Sequence, residues 1–240
     1  MKILAIESSS LVASAAIVND DILVAEYTVN HKVTHSQTLL PMIDEILTMT
    51  QTDKRSIDAI AVSGGPGSYT GLRIGSATAK GLGMALDIPL IHVPTLDAMA
   101  YNAYGYAGLV CPIMDARRSQ VYTGIYEFSD GKFNILLENS AITFDELMEK
   151  LDALNTSGKK VMFIGDGIPV FKDRIDEHFK GTGYELAPAS MNRQRAASVA
   201  ALGGIYYNEG KTEAASEHLP DYLRLSQAER ELNEKRAADG

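Results

Sequence analysis

The spacing of apolar and polar positions changes several times along the chain, and each change marks an element. Lys2–Glu7 is an apolar, partly β-branched run, and Val12–Val18 follows it across a Ser8-Ser9-Ser10 turn. Ile22–Val29 comes after Asn19-Asp20-Asp21, and a polar turn of that kind between two strand-like runs predicts a hairpin. From His35 the period lengthens: Leu39, Leu40, Ile43, Ile46 and Leu47 recur at three- and four-residue spacing, which predicts an amphipathic helix. Ile57–Val62 is a short buried strand ending in Ser63-Gly64-Gly65-Pro66-Gly67. A helix over Gly71–Leu86, a strand over Pro89–Val93 and a helix over Thr95–Tyr104, with Thr95 near its N-cap, complete a first series.

A second series starts at Leu109. Leu109–Met114, Val121–Phe128 and Phe133–Ile142 read as strands, the last two joined by Ser129-Asp130-Gly131. Thr143 followed three residues later by Glu146 is a capping-box pattern, and it opens a helix to about Leu154. Val161–Ile164 is a strand ending in Gly165-Asp166-Gly167. A helix over Pro169–Lys180, a short strand at Glu185–Ala187 and a helix over Ala196–Tyr207 follow. Both halves therefore run three strands, helix, strand, helix, strand, helix, the order left by a duplication. Hairpins give antiparallel pairs and strand–helix–strand units give parallel ones, so each half predicts a mixed sheet flanked by helices. This α/β, duplicated two-domain order is that of the actin-like (ASKHA, ribonuclease H-like) superfamily. The expected domains are residues 1–106 and 107–225, with a charged tail at 226–240.

Length and charge narrow the function classes. The chain has 240 residues, 45% hydrophobic and 22% charged, which excludes wholesale disorder and leaves ample length for a core. The single cysteine, Cys111, cannot form an internal disulfide and points to a reducing compartment. Glu7 interrupts what a signal peptide would need, and no run reaches the roughly 18–20 apolar residues that span a bilayer. A soluble, cytoplasmic protein with no membrane association is expected. Net charge is −9, and both halves are acidic: 6 Lys+Arg against 10 Asp+Glu through Gly108, then 16 against 21. Any nucleic-acid role would pass through a partner.

The most informative segment is Gly64-Gly65-Pro66-Gly67-Ser68-Tyr69-Thr70-Gly71-Leu72-Arg73. A glycine-rich turn between strand and helix can aim backbone N–H groups at an anion. It lacks the dinucleotide fingerprint, because position 70 is Thr, and it lacks the Gly-Lys-Ser/Thr of a phosphate loop. The alternative is a tight turn that permits close helix packing. Gly71, Gly75, Ala79 and Gly83 recur every fourth residue and share one helix face. Glycine costs about 1 kcal/mol against alanine inside a helix, so the stripe needs a packing reason. Packing on the protein's own sheet and packing at a subunit contact both satisfy it.

Other candidates are weaker. His31 and His35 sit four apart, but the helix begins only at His35 and no His-Glu-x-x-His motif exists, so no metal site is expected there. Ser68 lacks a nucleophile elbow and reads as a turn or cap residue, and Cys111 reads as an inert core thiol. Glu7-Ser8-Ser9-Ser10 and Asp115-Ala116-Arg117-Arg118 end the first strands of the two halves, where an actin-like ATPase would hold phosphate and Mg²⁺. Neither turn has a glycine that lets backbone approach a phosphate. With the Gly165-Asp166-Gly167 turn they amount to an eroded nucleotide site.

Ile57–Gly75, with its Ser63-Gly64-Gly65-Pro66-Gly67-Ser68-Tyr69-Thr70-Gly71-Leu72-Arg73 centre, closely resembles the hallmark of the TsaB (YeaZ) family. Ile3–Ser9, Asp115-Ala116-Arg117-Arg118 and Pro220-Asp221-Tyr222-Leu223-Arg224 resemble it as well, over nearly the whole chain. The resemblance implies a role in making threonylcarbamoyladenosine next to the anticodon of ANN-decoding tRNAs. It further implies a non-catalytic subunit working with a TsaD-like catalytic subunit and a TsaE-like ATPase, forming a homodimer when alone and meeting tRNA only through the complex. The paralogue TsaD carries His-His-Leu-Glu-Gly-His after the corresponding strand, whereas this chain reads Pro94-Thr95-Leu96-Asp97-Ala98-Met99. Thr95 and Met99 stand where the two metal ligands would be, and neither suits a first-row metal. No catalytic residue, no metal and no tightly bound cofactor are expected, with ATP and metal on partner subunits.

In the family, two N-terminal helices make a four-helix contact with the partner or a second copy. The matching residues are Leu39, Leu40, Ile43 and Leu47 on the first helix and Gly71, Ile74, Gly75, Ala79, Leu82 and Gly83 on the second. The stripe is thus expected at or directly beneath a subunit interface. The residues of the eroded phosphate site would be Glu7, Ser8, Ser9, Asp115, Arg117, Gly165, Asp166 and Gly167. A stand-alone actin-fold kinase or ATPase and a metallopeptidase remain the competing readings.

Overall fold

The computed structural model describes residues 1–32 and 34–223; Arg224 and the expected charged tail at 226–240 lie outside the described residues. The first series forms β1 (Lys2–Glu7), β2 (Val12–Asn19), β3 (Ile22–Asn30), α1 (His35–Met49), β4 (Ala59–Gly65), α2 (Tyr69–Leu86), β5 (Leu90–Pro94) and α3 (Thr95–Tyr101). The second forms β6 (Leu109–Asp115), β7 (Gln120–Ser129), β8 (Lys132–Thr143), α4 (Phe144–Leu154), β9 (Val161–Ile164), α5 (Ile168–His178), β10 (Glu185–Leu186) and α6 (Ala196–Asn208).

Local chemistry sets these boundaries. Asp20 adopts a left-handed φ of 52° in the loop between β2 and β3, which aspartate tolerates. Asp130 and Gly131, both at positive φ, make the tight hairpin between β7 and β8. The capping box opens α4 as its sequence predicts: Thr143 Oγ1 accepts from the Glu146 amide at 3.2 Å and Glu146 Oε2 accepts from the Thr143 amide at 2.8 Å. Ser68 caps α2, its hydroxyl accepting from the Gly71 amide at 3.3 Å. Thr95 does not cap α3; it is the first helical residue, and its buried hydroxyl has no hydrogen-bond partner.

The two sheets have the same order. The first runs β3-β2-β1-β4-β5 and the second β8-β7-β6-β9-β10, each with two antiparallel pairs followed by two parallel ones. This is the duplicated actin-like fold. Strand alternation sends Leu4 and Ile6 to one face of the first sheet, under α1 and α2, and Ile3 and Ala5 to the other, under α6. Packing departs from the expected domain boundary here. The helix α6 belongs to the second half of the chain but covers the first sheet, while α3, from the first half, packs on β6 and β7. No helix among the described residues is long and apolar enough to cross a membrane.

Candidate functional site

A cleft of about 550 Å³ opens where the heads of the two sheets face each other. The β1–β2 turn supplies Ser9 and Ser10, the β6–β7 turn supplies Asp115 and Arg117, and the entry to α2 supplies Gly67, Ser68 and Tyr69. Asp166 and Tyr222 complete the wall, with the Tyr222 ring 4.8 Å from that of Tyr69. The structure therefore brings Ser9, Asp115, Arg117 and Asp166 of the expected phosphate site together.

The remaining residues of that expectation need correcting. Glu7 and Ser8 are fully buried and do not line the cleft. Glu7 bends back into its own turn, where Oε1 accepts from both the amide and the hydroxyl of Ser9 at 2.6 Å. Its Oε2 is buried without a hydrogen-bond partner, and burial pushes the carboxyl up despite the two Ser9 bonds. Gly165 and Gly167 likewise face their own sheet: a Cβ on Gly165 would fall 2.2 Å from the Ile113 carbonyl oxygen, and one on Gly167 3.0 Å from it. They let the turn after β9 cross β6 closely.

At the second turn Asp115 Oδ1 accepts the Arg117 amide at 2.8 Å. Arg117, Arg118 and Ser119 then run through three successive left-handed conformations, with φ of 66°, 53° and 58° and no glycine among them. Burial raises the Asp166 carboxyl, opposed by Arg193. Two of the cleft's turn amides are already satisfied by carboxyl groups of the chain itself. A phosphate would have to displace a side-chain carboxyl group from each.

The metal chemistry of the paralogue finds no fit either. Thr95 and Met99 are buried in α3, and between them Asp97 is held by Tyr126 Oη at 2.7 Å, Asn139 Nδ2 at 2.6 Å and Tyr206 Oη at 3.3 Å. A hydroxyl, a thioether and a carboxylate saturated by three donors do not make a first-row metal site. This network was not visible in the sequence; it ties α3 to β7, β8 and α6 from positions far apart in the chain.

The small-residue stripe resolves toward internal packing. A Cβ on Gly71 would fall 2.1 Å from the Ser8 carbonyl oxygen, one on Gly75 2.2 Å from Ser8 Oγ, and one on Gly83 2.8 Å from Ala215 Cβ. Ala79 has no exposed surface. Gly71, Gly75, Ala79 and Gly83 thus face the protein's own β1–β2 turn and core, because α2 must lie close enough to roof Ser8. Leu39 and Ile43 are also core residues, at 1% and 3% exposure. Of the expected interface set, Leu40 is exposed, and Leu47, Ile74 and Leu82 are partly exposed. His35 is buried at the start of α1, its Nε2 2.8 Å from the Ser10 carbonyl oxygen, and Cys111 is a core thiol pushed up to about 12 by burial.

Residues 24–232 match the family described as TsaD: tRNA N6-adenosine threonylcarbamoyltransferase. The chain is 35% identical over 231 residues to the tRNA threonylcarbamoyladenosine biosynthesis protein TsaB of Bacillus subtilis, covering 95% of this chain and 96% of that one. It is 32% identical to the TsaB of Escherichia coli over 97% of this chain and 98% of that one. Among solved structures, one described as YeaZ from Pseudomonas aeruginosa superposes with a TM-score of 0.75 at 25% identity, covering 92% of this chain and 99% of that one. Another from that organism, described as an uncharacterized protein similar to peptidase YEAZ, reaches 0.79 at 27% identity over 93% and 99%.

Proposed function

The chain belongs to the TsaB family of tRNA threonylcarbamoyladenosine biosynthesis proteins, and from that premise we propose that it is the non-catalytic subunit of a threonylcarbamoyl-transferring complex. It supports a TsaD-like catalytic subunit, with a TsaE-like ATPase, in modifying the adenosine next to the anticodon of ANN-decoding tRNAs. The observation that carries this reading is a double loss, one part at the cleft and the other in α3. Both turn amides are occupied by Glu7 and Asp115, and Thr95 and Met99 stand in place of metal ligands. ATP and the catalytic metal then belong to the partner subunits.

The partner docks on the outer face of α1 and α2, in the half expected to bind it, residues 1–106. Leu40 is 53% exposed and Met84 64%, and the apolar side chains of Leu47, Ile74 and Leu82 lie partly open beside them. A self-complementary contact of two such pairs gives a homodimer when the chain is alone, and a related partner replaces the second copy. The cytoplasm is where tRNA and such partners meet. With net charge −9, tRNA is met through the complex.

The test is reconstitution. The chain is combined with TsaD-like and TsaE-like proteins of the same organism, unmodified tRNA, ATP and a threonylcarbamoyl donor, and nucleosides are read by mass spectrometry. Modification is expected with the full set, and loss when this chain is omitted. Modification by this chain alone, or full activity without it, overturns the reading.

A further inference from the structure

The glycines of the Gly64-Gly65-Pro66-Gly67 turn make room for something the cleft does not use. His92, on β5, lays its imidazole over Gly64, where a Cβ would fall 2.0 Å from ring atom Cε1. The segment after α6 returns to the same place. Glu213 and Leu90 exchange two backbone hydrogen bonds of 3.0 Å, and the Asp221 amide donates to the Gly64 carbonyl at 2.7 Å. A Cβ on Gly65 would fall 2.4 Å from the Asp221 carbonyl oxygen. Backbone pairing thus fixes His92, Glu213, His218 and Asp221 around one point.

Their side chains converge there. The His92 and His218 rings lie 5.6 Å apart, centroid to centroid. His218 Nδ1 is 2.6 Å from Glu213 Oε1, and His92 Nε2 is 3.2 Å from Asp221 Oδ2. One ligand atom from each of His92, Glu213 and His218 lies within 4.8 Å of the other two. The His218 side chain has no exposed surface, yet its Nε2 has no hydrogen-bond partner, and the buried Nε2 of His92 has only the Asp221 carboxylate nearby. A buried polar atom without a partner is uncommon and costly, and one on an imidazole beside a second imidazole and a carboxylate points to a missing electrophile.

We propose that His92, Glu213 and His218 form a binding site for a zinc-type divalent cation, with Asp221 beside it against His92. Two imidazoles with a carboxylate are a borderline-soft donor set suited to zinc, whereas magnesium and calcium take oxygen ligands. Bonds of about 2.0–2.2 Å require the ligand atoms, now within 4.8 Å of one another, to rearrange around the ion. The cation clips the segment after α6 to β5 and so holds Tyr222 against Tyr69 at the cleft wall. It is distinct from the positions of Thr95 and Met99. The site has no sequence signature, because its ligands are scattered over positions 92, 213 and 218.

The test uses the full chain, stripped with a chelator and titrated with Zn²⁺ alone by calorimetry, and separately with Co²⁺ by visible absorption. One equivalent of Zn²⁺ per chain, a rise in Tm on binding and the d–d bands of a four-coordinate Co²⁺ site are expected. His92→Ala and Glu213→Gln each weaken binding by more than about tenfold while the metal-free Tm stays near that of the parent. These two sites carry the test because His218, being buried, is where substitution also threatens the fold. Absence of stoichiometric Zn²⁺ binding, or parent-like affinity in both variants, overturns the proposal.

Discussion

Asp115 at the head of the second sheet repeats what Glu7 does at the head of the first: each carboxylate accepts the amide two residues further on, Arg117 at 2.8 Å and Ser9 at 2.6 Å. The duplication that repeats the sheets also repeats this contact, although the two acids differ by a methylene. In each turn a side-chain oxygen of the chain takes the amide that a nucleotide's phosphate would otherwise meet. An N–H aimed at a neighbouring carboxyl oxygen is satisfied, and a phosphate must compete with it.

Mg-ATP is therefore expected to bind the isolated chain no more tightly than about 0.1 mM, with no appreciable hydrolysis. Isothermal titration calorimetry and a phosphate-release assay check this. A micromolar site would show that the cleft accepts nucleotide despite Glu7 and Asp115.

Glu7 also makes stability depend on pH. Burial raises its carboxyl above the ordinary 4.5, so the folded state holds the proton more tightly than the unfolded chain does. That contribution is fully present below 4.5 and is lost as pH rises through the raised value. Glu7→Gln keeps an acceptor for Ser9 and removes the charge. It should gain on the parent as pH rises, by about 1–3 kcal/mol once the parent carboxyl is ionised. Urea unfolding over about pH 4.5–7.5 reads the difference, and a constant or shrinking gap would contradict it.

Direct tRNA contact is expected to be weak. At about 150 mM salt, where screening acts over about 8 Å, the isolated chain should bind tRNA with Kd above about 1 μM, and lower salt should strengthen binding steeply. Filter binding across a salt series checks both. Sub-micromolar, salt-insensitive binding would point to a tRNA surface that the net charge of −9 conceals.

Local signals in the sequence were enough for the elements. The period change at His35 starts α1, Thr143 and Glu146 start α4, and the repeated order is the duplication itself. What sequence could not carry was direction. A four-residue spacing places Gly71, Gly75, Ala79 and Gly83 on one face but does not say which way the face points; only the approach of Ser8 decides that. Glu7 looked like a cleft residue because the strand ends there, yet the short turn gives its side chain a nearer partner in Ser9. His92, Glu213 and His218 meet through β5 and the returning segment, a contact that no local window contains.

The helices α1 and α2 allow the inward and outward faces to be tested separately. Ala79 is fully buried in the core between α2 and the first sheet, so Ala79→Leu must overpack it and should cost about 1–3 kcal/mol. Leu40 is 53% exposed, and Leu40→Asp should change the stability of the isolated fold by no more than about 0.5 kcal/mol. If the outer face is where a second copy or a related partner docks, the same substitution places an unpaired carboxylate in a contact emptied of water. Association should then weaken by tenfold or more, equivalent to about 1.4 kcal/mol. Urea unfolding followed by circular dichroism reads the first effect, and size-exclusion chromatography with and without the TsaD-like partner reads the second. Parent-like stability in Ala79→Leu would mean the stripe does not pack inward. A folded Leu40→Asp chain that keeps full association with itself and with the partner would remove the outer face from the interface, since the substitution leaves the core between helices and sheet untouched.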